Sequence, residues 1–181
     1  MTVSNATMKP KDGGALKVLT LSLSGQLFAL DAASVREILD LAPVTEVPAS
    51  TPFASGLINV RGKVVPLTDL RHKLGMEIRS PTIDTRIVVL EIDIDGDLTS
   101  AGILADKVHE VTDIPAADLE ETPKIGLPWR PGLIRCIGKR GGGFIAVLDI
   151  ARIFSSAHQQ SRFSRLITAQ SAMPANLSPA S

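Results

Sequence analysis

Apolar residues recur at every second position through much of the chain, the period of strands rather than helices. Over Lys17 to Leu23, Leu19, Leu21 and Leu23 alternate with Val18, Thr20 and Ser22, a strand with one apolar face. Gly25 marks a turn, and Gln26 to Leu30 reads as the partner strand. Asp31-Ala32-Ala33-Ser34 is a helix-opening sequence and predicts a short helix with Val35 and Ile38 on one side. Pro43, Pro48 and Pro52 then punctuate a connection in which no helix runs far. Thr85 to Asp93, rich in Ile and Val, predicts a strand. Asp95-Gly96 is a turn signal, and Thr99 to Val108 returns as another strand. Ile114 to Pro131, rich in proline and acidic residues, reads as a long loop with one turn at Ala116 to Glu121.

One motif occurs twice. Gly56-Leu57-Ile58 leads through Gly62-Lys63 to Val64-Val65-Pro66-Leu67 and then Asp69-Leu70-Arg71. Gly132-Leu133-Ile134 leads through Gly138-Lys139 to Phe144-Ile145-Ala146-Val147-Leu148 and then Asp149-Ile150-Ala151-Arg152. The second copy carries four extra residues, which the pattern assigns to its turn, Lys139 to Gly143. In the first copy a Gly62-Lys63 loop puts glycine first, as a type II′ turn requires. Val60 then opposes Val65 and Ile58 opposes Leu67, with Arg61 and Asn59 on the other face against Val64 and Pro66. A loop at Arg61-Gly62 would set Val60 against Lys63, a charge among apolar residues, so the first register is expected. Pro66 lacks a ladder donor and should face an edge or a bulge. Asp69 is expected to cap a helical turn, Leu70 to Leu74, closed by Gly75, and Asp149 to cap its counterpart.

A hairpin and helical turn used twice, among short strands and frequent turns, predicts an all-β fold: two small five-stranded barrel lobes back to back, over residues 15–155. Such a shape offers no obvious active-site cleft. Residues 1–14 read as a flexible lead-in. Residues 156–181, rich in Ser, Ala and Pro, read as a disordered tail in which Arg162, Arg165, Leu166 and Ile167 have weak amphipathic spacing.

Composition narrows the function. Of 181 residues 44% are apolar, yet there are five Phe, one Trp and no Tyr, so the core is aliphatic. Nineteen basic residues balance nineteen acidic ones, against the basic excess that neutralises nucleic-acid phosphates, and stacking aromatics are scarce. Cys136, the only cysteine, lies in an apolar strand pattern and reads as a small buried hydrophobe. No apolar run approaches the roughly 20 residues of a membrane helix, and no signal peptide is evident, so a cytoplasmic protein without membrane insertion is expected.

Reactive chemistry was sought residue by residue. His72, His109 and His158 lack metal-ligand spacing from one another and from Cys136. Asp93, Asp95 and Asp97 resemble a calcium loop, but the twelfth residue counted from Asp93 is Leu104, where a bidentate Glu is needed. Gly141-Gly142-Gly143 joins two apolar strands and reads as a hairpin tip rather than a phosphate cradle. No nucleophile elbow, phosphate loop or dinucleotide fingerprint is present. The expectation is therefore no enzyme, no metal and no cofactor. What remains is display: Arg61 on its hairpin can form forked hydrogen bonds to a partner's carboxylates or carbonyls. The second copy places Arg135 and Ile137 where the first has Asn59 and Arg61, so the two lobes should meet different partners.

Val35-Arg36-Glu37-Ile38 and the run Gly56 to Arg71, with its Asn-x-Arg-Gly core at Asn59 to Gly62, resemble the CheW family of bacterial chemotaxis coupling proteins. The resemblance covers Ala15 to Phe154. It implies two SH3-like barrels about a shared aliphatic core, and a scaffold joining the cytoplasmic tips of transmembrane chemoreceptors to the regulatory domain of a CheA-type histidine kinase. It also implies rings in which kinase domains and CheW-like proteins alternate, at membrane-associated receptor arrays. By that match Val35, Glu37, Ile38, Asn59 and Arg61 are candidate receptor contacts, whereas Gly62 serves the turn. The longer glycine-rich second hairpin tip, Pro128-Trp129-Arg130-Pro131 and the tail of about 25 residues depart from the family pattern, which puts the kinase-side contacts in question more than the receptor side. A coupler of a non-flagellar pathway, controlling pili, surface sensing or cyclic-dinucleotide output, is the alternative.

Overall fold

The structure, a computed structural model, describes residues 14–47 and 54–155. The lead-in before Gly14, the segment holding Pro48 and Pro52, and the tail lie outside the described residues. Alternating patterns become strands β1 (Ala15–Leu23) and β2 (Gln26–Asp31) as expected. The Asp31 cap opens only one 3-10 turn, Ala32–Ser34; its carboxylate accepts from Ala33 N–H at 3.0 Å. The helix expected to carry Val35 and Ile38 is instead strand β3 (Val35–Asp40). β-Branched residues favour the pleat, and β6 offers β3 a ladder partner.

There follow β4 (Ala54–Val60), β5 (Lys63–Thr68), α1 (Leu70–Leu74), β6 (Arg86–Ile94) and β7 (Asp97–Ala105). The strand expected over Thr99 to Val108 breaks at Asp106, and β8 (Lys107–Pro115) begins there. Much of the expected long loop is ordered: a 3-10 turn at Ala116–Asp118, β9 (Leu119–Glu120) and a 3-10 turn at Pro131–Leu133. β10 (Ile134–Arg140), β11 (Gly143–Leu148) and α2 (Ile150–Ser155) complete the described chain.

These elements form two sheets that repeat one plan. The first lobe has strand order β3-β6-β7-β5-β4, and the second β8-β1-β2-β11-β10-β9. Matching the orders position by position sets β8 against β3, β1 and β2 against β6 and β7, and β11 and β10 against β5 and β4. The N-terminal hairpin therefore completes the second lobe, through a parallel pairing of β2 with β11 that matches β7 with β5. Each sheet closes where its edge strand turns a corner. After β3, Thr45 exchanges backbone hydrogen bonds with Leu57 of β4 at 2.8 and 2.9 Å. After β8, β9 pairs with β10, Glu120 opposite Ile137. Each lobe is a small SH3-like barrel, and the fold is all-β.

Three apolar cores follow. Ile58, Val60, Val65, Leu67, Ile87 and Val89 fill the first barrel. Leu16, Val18, Ala29, Ile114, Cys136, Ile145 and Val147 contribute to the second. A larger core between the lobes joins Leu19, Phe28 and Leu30 to Leu70, Val88, Leu90 and Ile103, and to Ile153 and Phe154 of α2. In the second barrel's core Cys136 is buried at 1% exposure, and burial pushes its thiol pKa upward.

Candidate interaction site on the first lobe

The first hairpin takes the register that the sequence argued against. Val60 opposes Lys63, Asn59 opposes Val64 and Ile58 opposes Val65, so the loop is Arg61-Gly62. Both loop residues have positive φ, +53° and +82°, the requirement of a type I′ turn, whose twist matches the flanking strands. The Asn59 side-chain oxygen accepts from Gly62 N–H at 2.8 Å and closes the turn. Lys63 lies on the core-facing side, but at the barrel's end, where it is exposed. The objection to a charge among apolar residues therefore does not apply. Leu57 directs both backbone groups to Thr45, so the Leu57–Pro66 pair needs no proline donor, and Pro66 is tolerated inside the sheet.

The second hairpin is no longer than the first. Its loop is Gly141-Gly142, with Arg140 opposite Gly143. The copies superpose at a constant separation: Arg61-Gly62 matches Gly141-Gly142, and Asp69 matches Asp149. Both hairpins carry a register shift at the same place, after Ala54 and after Ile134. Arg135 and Ile137 are thus not the counterparts of Asn59 and Arg61, and Gly138 is not a turn glycine. Gly138 lies within β10, where a Cβ would stand 2.8 Å from Ile114 Cδ1. Arg135 instead donates to Asp31 at 2.9 Å, tying β10 to the end of β2.

Turn and strand bring two of the five candidate contacts together. Arg61 Nε donates to Glu37 Oε2 at 2.8 Å, linking the β4–β5 turn to β3 across the barrel. The Glu37 side chain is 23% exposed and that of Arg61 81%, so the pair presents a largely exposed guanidinium anchored to a less exposed carboxylate. Val35 packs against the core between the lobes. Ile38, 42% exposed, alternates with Glu37 and so lies on the other side of the strand. Asn59 is committed to the turn. The five residues do not form one flat patch.

Asp69 caps α1 through Arg71 N–H at 3.0 Å, and Gly75 ends it at φ +67°. Asp149 caps α2 through Arg152 N–H at 3.0 Å. Sequence reasoning missed what Asp69 also does. Arg71, 5% exposed, forks onto it with Nε and Nη2 at 2.9 and 2.7 Å, and Nη1 reaches Asp106 Oδ1 at 3.0 Å and the Arg79 carbonyl at 3.1 Å. Asp106 in turn accepts from Ser24 N–H in the β1–β2 turn. Donating to the Asp69 carboxylate raises the guanidinium pKa, against the opposing effect of burial. This chain of groups runs from α1 in the first lobe to the N-terminal hairpin in the second. The Asp-x-Arg spacing of Asp69 and Arg71 was its only sequence signal.

Among the described residues no cluster of His, Cys, Asp or Glu is placed to hold a metal ion, and no helix is long and apolar enough to cross a membrane.

Residues 17–158 match the CheW-like domain. The chain belongs to the CheW family. The chemotaxis protein CheW of Rhizobium meliloti (strain 1021) is 26% identical over 158 residues, covering 87% of this chain and 99% of that protein. The crystal structure of scaffolding protein TtCheW from Thermoanaerobacter tengcongensis superposes with a TM-score of 0.71 at 29% identity, covering 79% of this chain and 90% of that one. Protein PilI of Pseudomonas aeruginosa is 28% identical over 100 residues, 55% of this chain and 53% of that protein. The CheW family is one of chemotaxis coupling scaffolds, and the paired SH3-like lobes seen here are its architecture.

Proposed function

We propose that this chain is a non-catalytic cytoplasmic scaffold that couples the cytoplasmic tips of transmembrane chemoreceptors to a CheA-type histidine kinase. The supporting observation is the Glu37–Arg61 pair. A type I′ turn favours Asn, Asp or Gly at its first position, and an arginine held there at φ +53° is retained at some conformational cost. The pair does little for stability, since an ion pair this exposed contributes well under about 1 kcal/mol. A displayed, oriented guanidinium suits docking of a helical receptor tip through rim charges that set orientation. Val35 and Ile38 would add apolar area on either side of β3. Arg61→Glu should weaken binding to a receptor cytoplasmic fragment at least tenfold and leave the urea midpoint unchanged. Undiminished affinity would remove the assignment.

Similarity to PilI supports a second reading, in which the same scaffold serves a non-flagellar pathway. Reconstitution with receptors and kinases from each pathway of the source cell separates the two by which set restores receptor control of kinase activity.

A further inference from the structure

On the outer side of the second lobe lies an open apolar groove of about 500 Å³. Leu27 of β2, Ile137 of β10 and Phe144 of β11 form its floor, and Leu127 and Trp129 form one wall. Phe144 is 71% exposed and Leu27 46%, large apolar surfaces that a chain poor in aromatics leaves in water. The rim is acidic, with Glu120 and Glu121. Glu120 is paired with Lys139, but among the described residues no cation pairs with Glu121.

The end of the described chain lies beside this groove. Ile153 and Phe154 of α2 share a core with Phe28, and Phe28 meets the Trp129 ring edge-on at 5.2 Å. Lys73 Nζ donates to the Ile153 carbonyl at 2.6 Å, and the charge of nearby Arg130 helps lower the Lys73 pKa, after burial. The last turn of α2 therefore adjoins the segment that builds the Trp129 wall. The sequence that follows carries Phe163, Leu166 and Ile167 at helical spacing, with Arg162 and Arg165, and residues 156–181 contain no Asp or Glu. From Ser155 to Phe163 the backbone can reach about 26 Å, enough to cross one lobe.

We propose that the segment around Arg162–Ile167 docks in this groove in its own molecule, seating Phe163 and Leu166 on Phe144, Leu27 and Trp129 and setting its arginines against Glu121 and the Glu120 rim. The proposal does not depend on the receptor reading.

Trp129, the sole tryptophan, reports the groove directly. The test is acrylamide quenching and emission of the full chain against F163S/L166S and R162E/R165E full-length variants, at several protein concentrations, with circular dichroism as the control on folding. The substitutions lie outside the described residues. With a tether effective concentration of about 1 mM, a contact weakened about tenfold falls from roughly nine-tenths to roughly half occupied. Both variants should therefore expose Trp129 and shift its emission to the red, independently of concentration. Added salt should mimic the arginine variant. Quenching that is the same in all three chains overturns the proposal. Protection that grows with concentration and accompanies a doubled mass also overturns it, and assigns the groove to a second copy.

Discussion

Replacing Gly56 with alanine should open the first barrel. Gly56 has φ +144°, and a Cβ there would lie 2.5 Å from the Thr45 carbonyl oxygen and 2.6 Å from Val44 Cγ1. The first clash is with backbone, and that oxygen is the acceptor for Leu57 N–H in the only bridge joining the segment after β3 to β4 among the described residues. Two contributions follow. Forcing an L-residue into that backbone region costs about 1–3 kcal/mol. Displacing Thr45 loses two hydrogen bonds at roughly 0.5–1.5 kcal/mol each. Together they approach 4 kcal/mol, a large part of the roughly 5–15 kcal/mol that holds a domain folded. For a chain of this size that lowers the melting temperature by about 8–16 °C.

Urea unfolding of three glycine variants isolates the cause. Around Gly62 the space is open although φ is +82°, so Gly62→Ala bears only the turn penalty, about 1 kcal/mol. Gly138→Ala meets side chains rather than backbone, Ile114 Cδ1 at 2.8 Å and Ile145 Cγ2 at 3.2 Å, and should cost about 1–3 kcal/mol by overpacking. If Gly56→Ala proved no worse than Gly62→Ala, the closure of the barrel through Thr45 would be refuted.

Arg71→Met should cost about 3–5 kcal/mol, because it strands the buried Asp69 carboxylate. Adding Asp69→Asn should recover part of that loss, and the double-mutant cycle in urea measures the coupling. Cys136 should react with a thiol reagent only in denaturant. Its raised folded pKa means the native state keeps the proton after the unfolded thiol has lost it, so stability declines as pH rises past the ordinary thiol range near 8.5. Cys136→Ala should flatten the stability–pH curve above that range relative to the parent chain. Identical curves, or rapid labelling of the folded protein, would contradict its burial.

Much of the fold was legible in the sequence because strand alternation and helix caps are local signals. The helical turn from Leu70 to Leu74, its Asp69 cap and its Gly75 stop need only neighbouring residues. Hairpin register proved harder, although the clue was there. Among the described residues four hairpin loops, Ser24-Gly25, Arg61-Gly62, Asp95-Gly96 and Gly141-Gly142, all hold glycine second and positive φ at both positions. Asn59 stands three residues before Gly62 as Asp93 stands before Gly96, each accepting from the glycine N–H at 2.8 Å. Treating Asn59 as a contact hid its turn-closing role, and the repeated Gly-Leu-Ile words aligned the copies out of phase. The Glu37–Arg61 pairing and the Arg71–Asp106 link join residues far apart in sequence, and no local pattern encodes either.

The exchange of the N-terminal hairpin into the second lobe bears on scaffolding. The first barrel, β3 to β7, is one contiguous stretch inserted into the second, whose β1 and β2 come first yet join a sheet finished by β8 to β11. The core between the lobes draws on both barrels and on α2, and the largely buried Arg71 network bridges them beside it. One barrel cannot unfold or swing without exposing the apolar faces of Leu19, Phe28 and Leu90, so the two should melt in a single transition. A coupler that holds two different partners must fix the angle between the surfaces it offers them. One barrel inserted into the chain of the other, around a common aliphatic core, achieves that without a rigid linker, because the hinge between the lobes is itself packed interior.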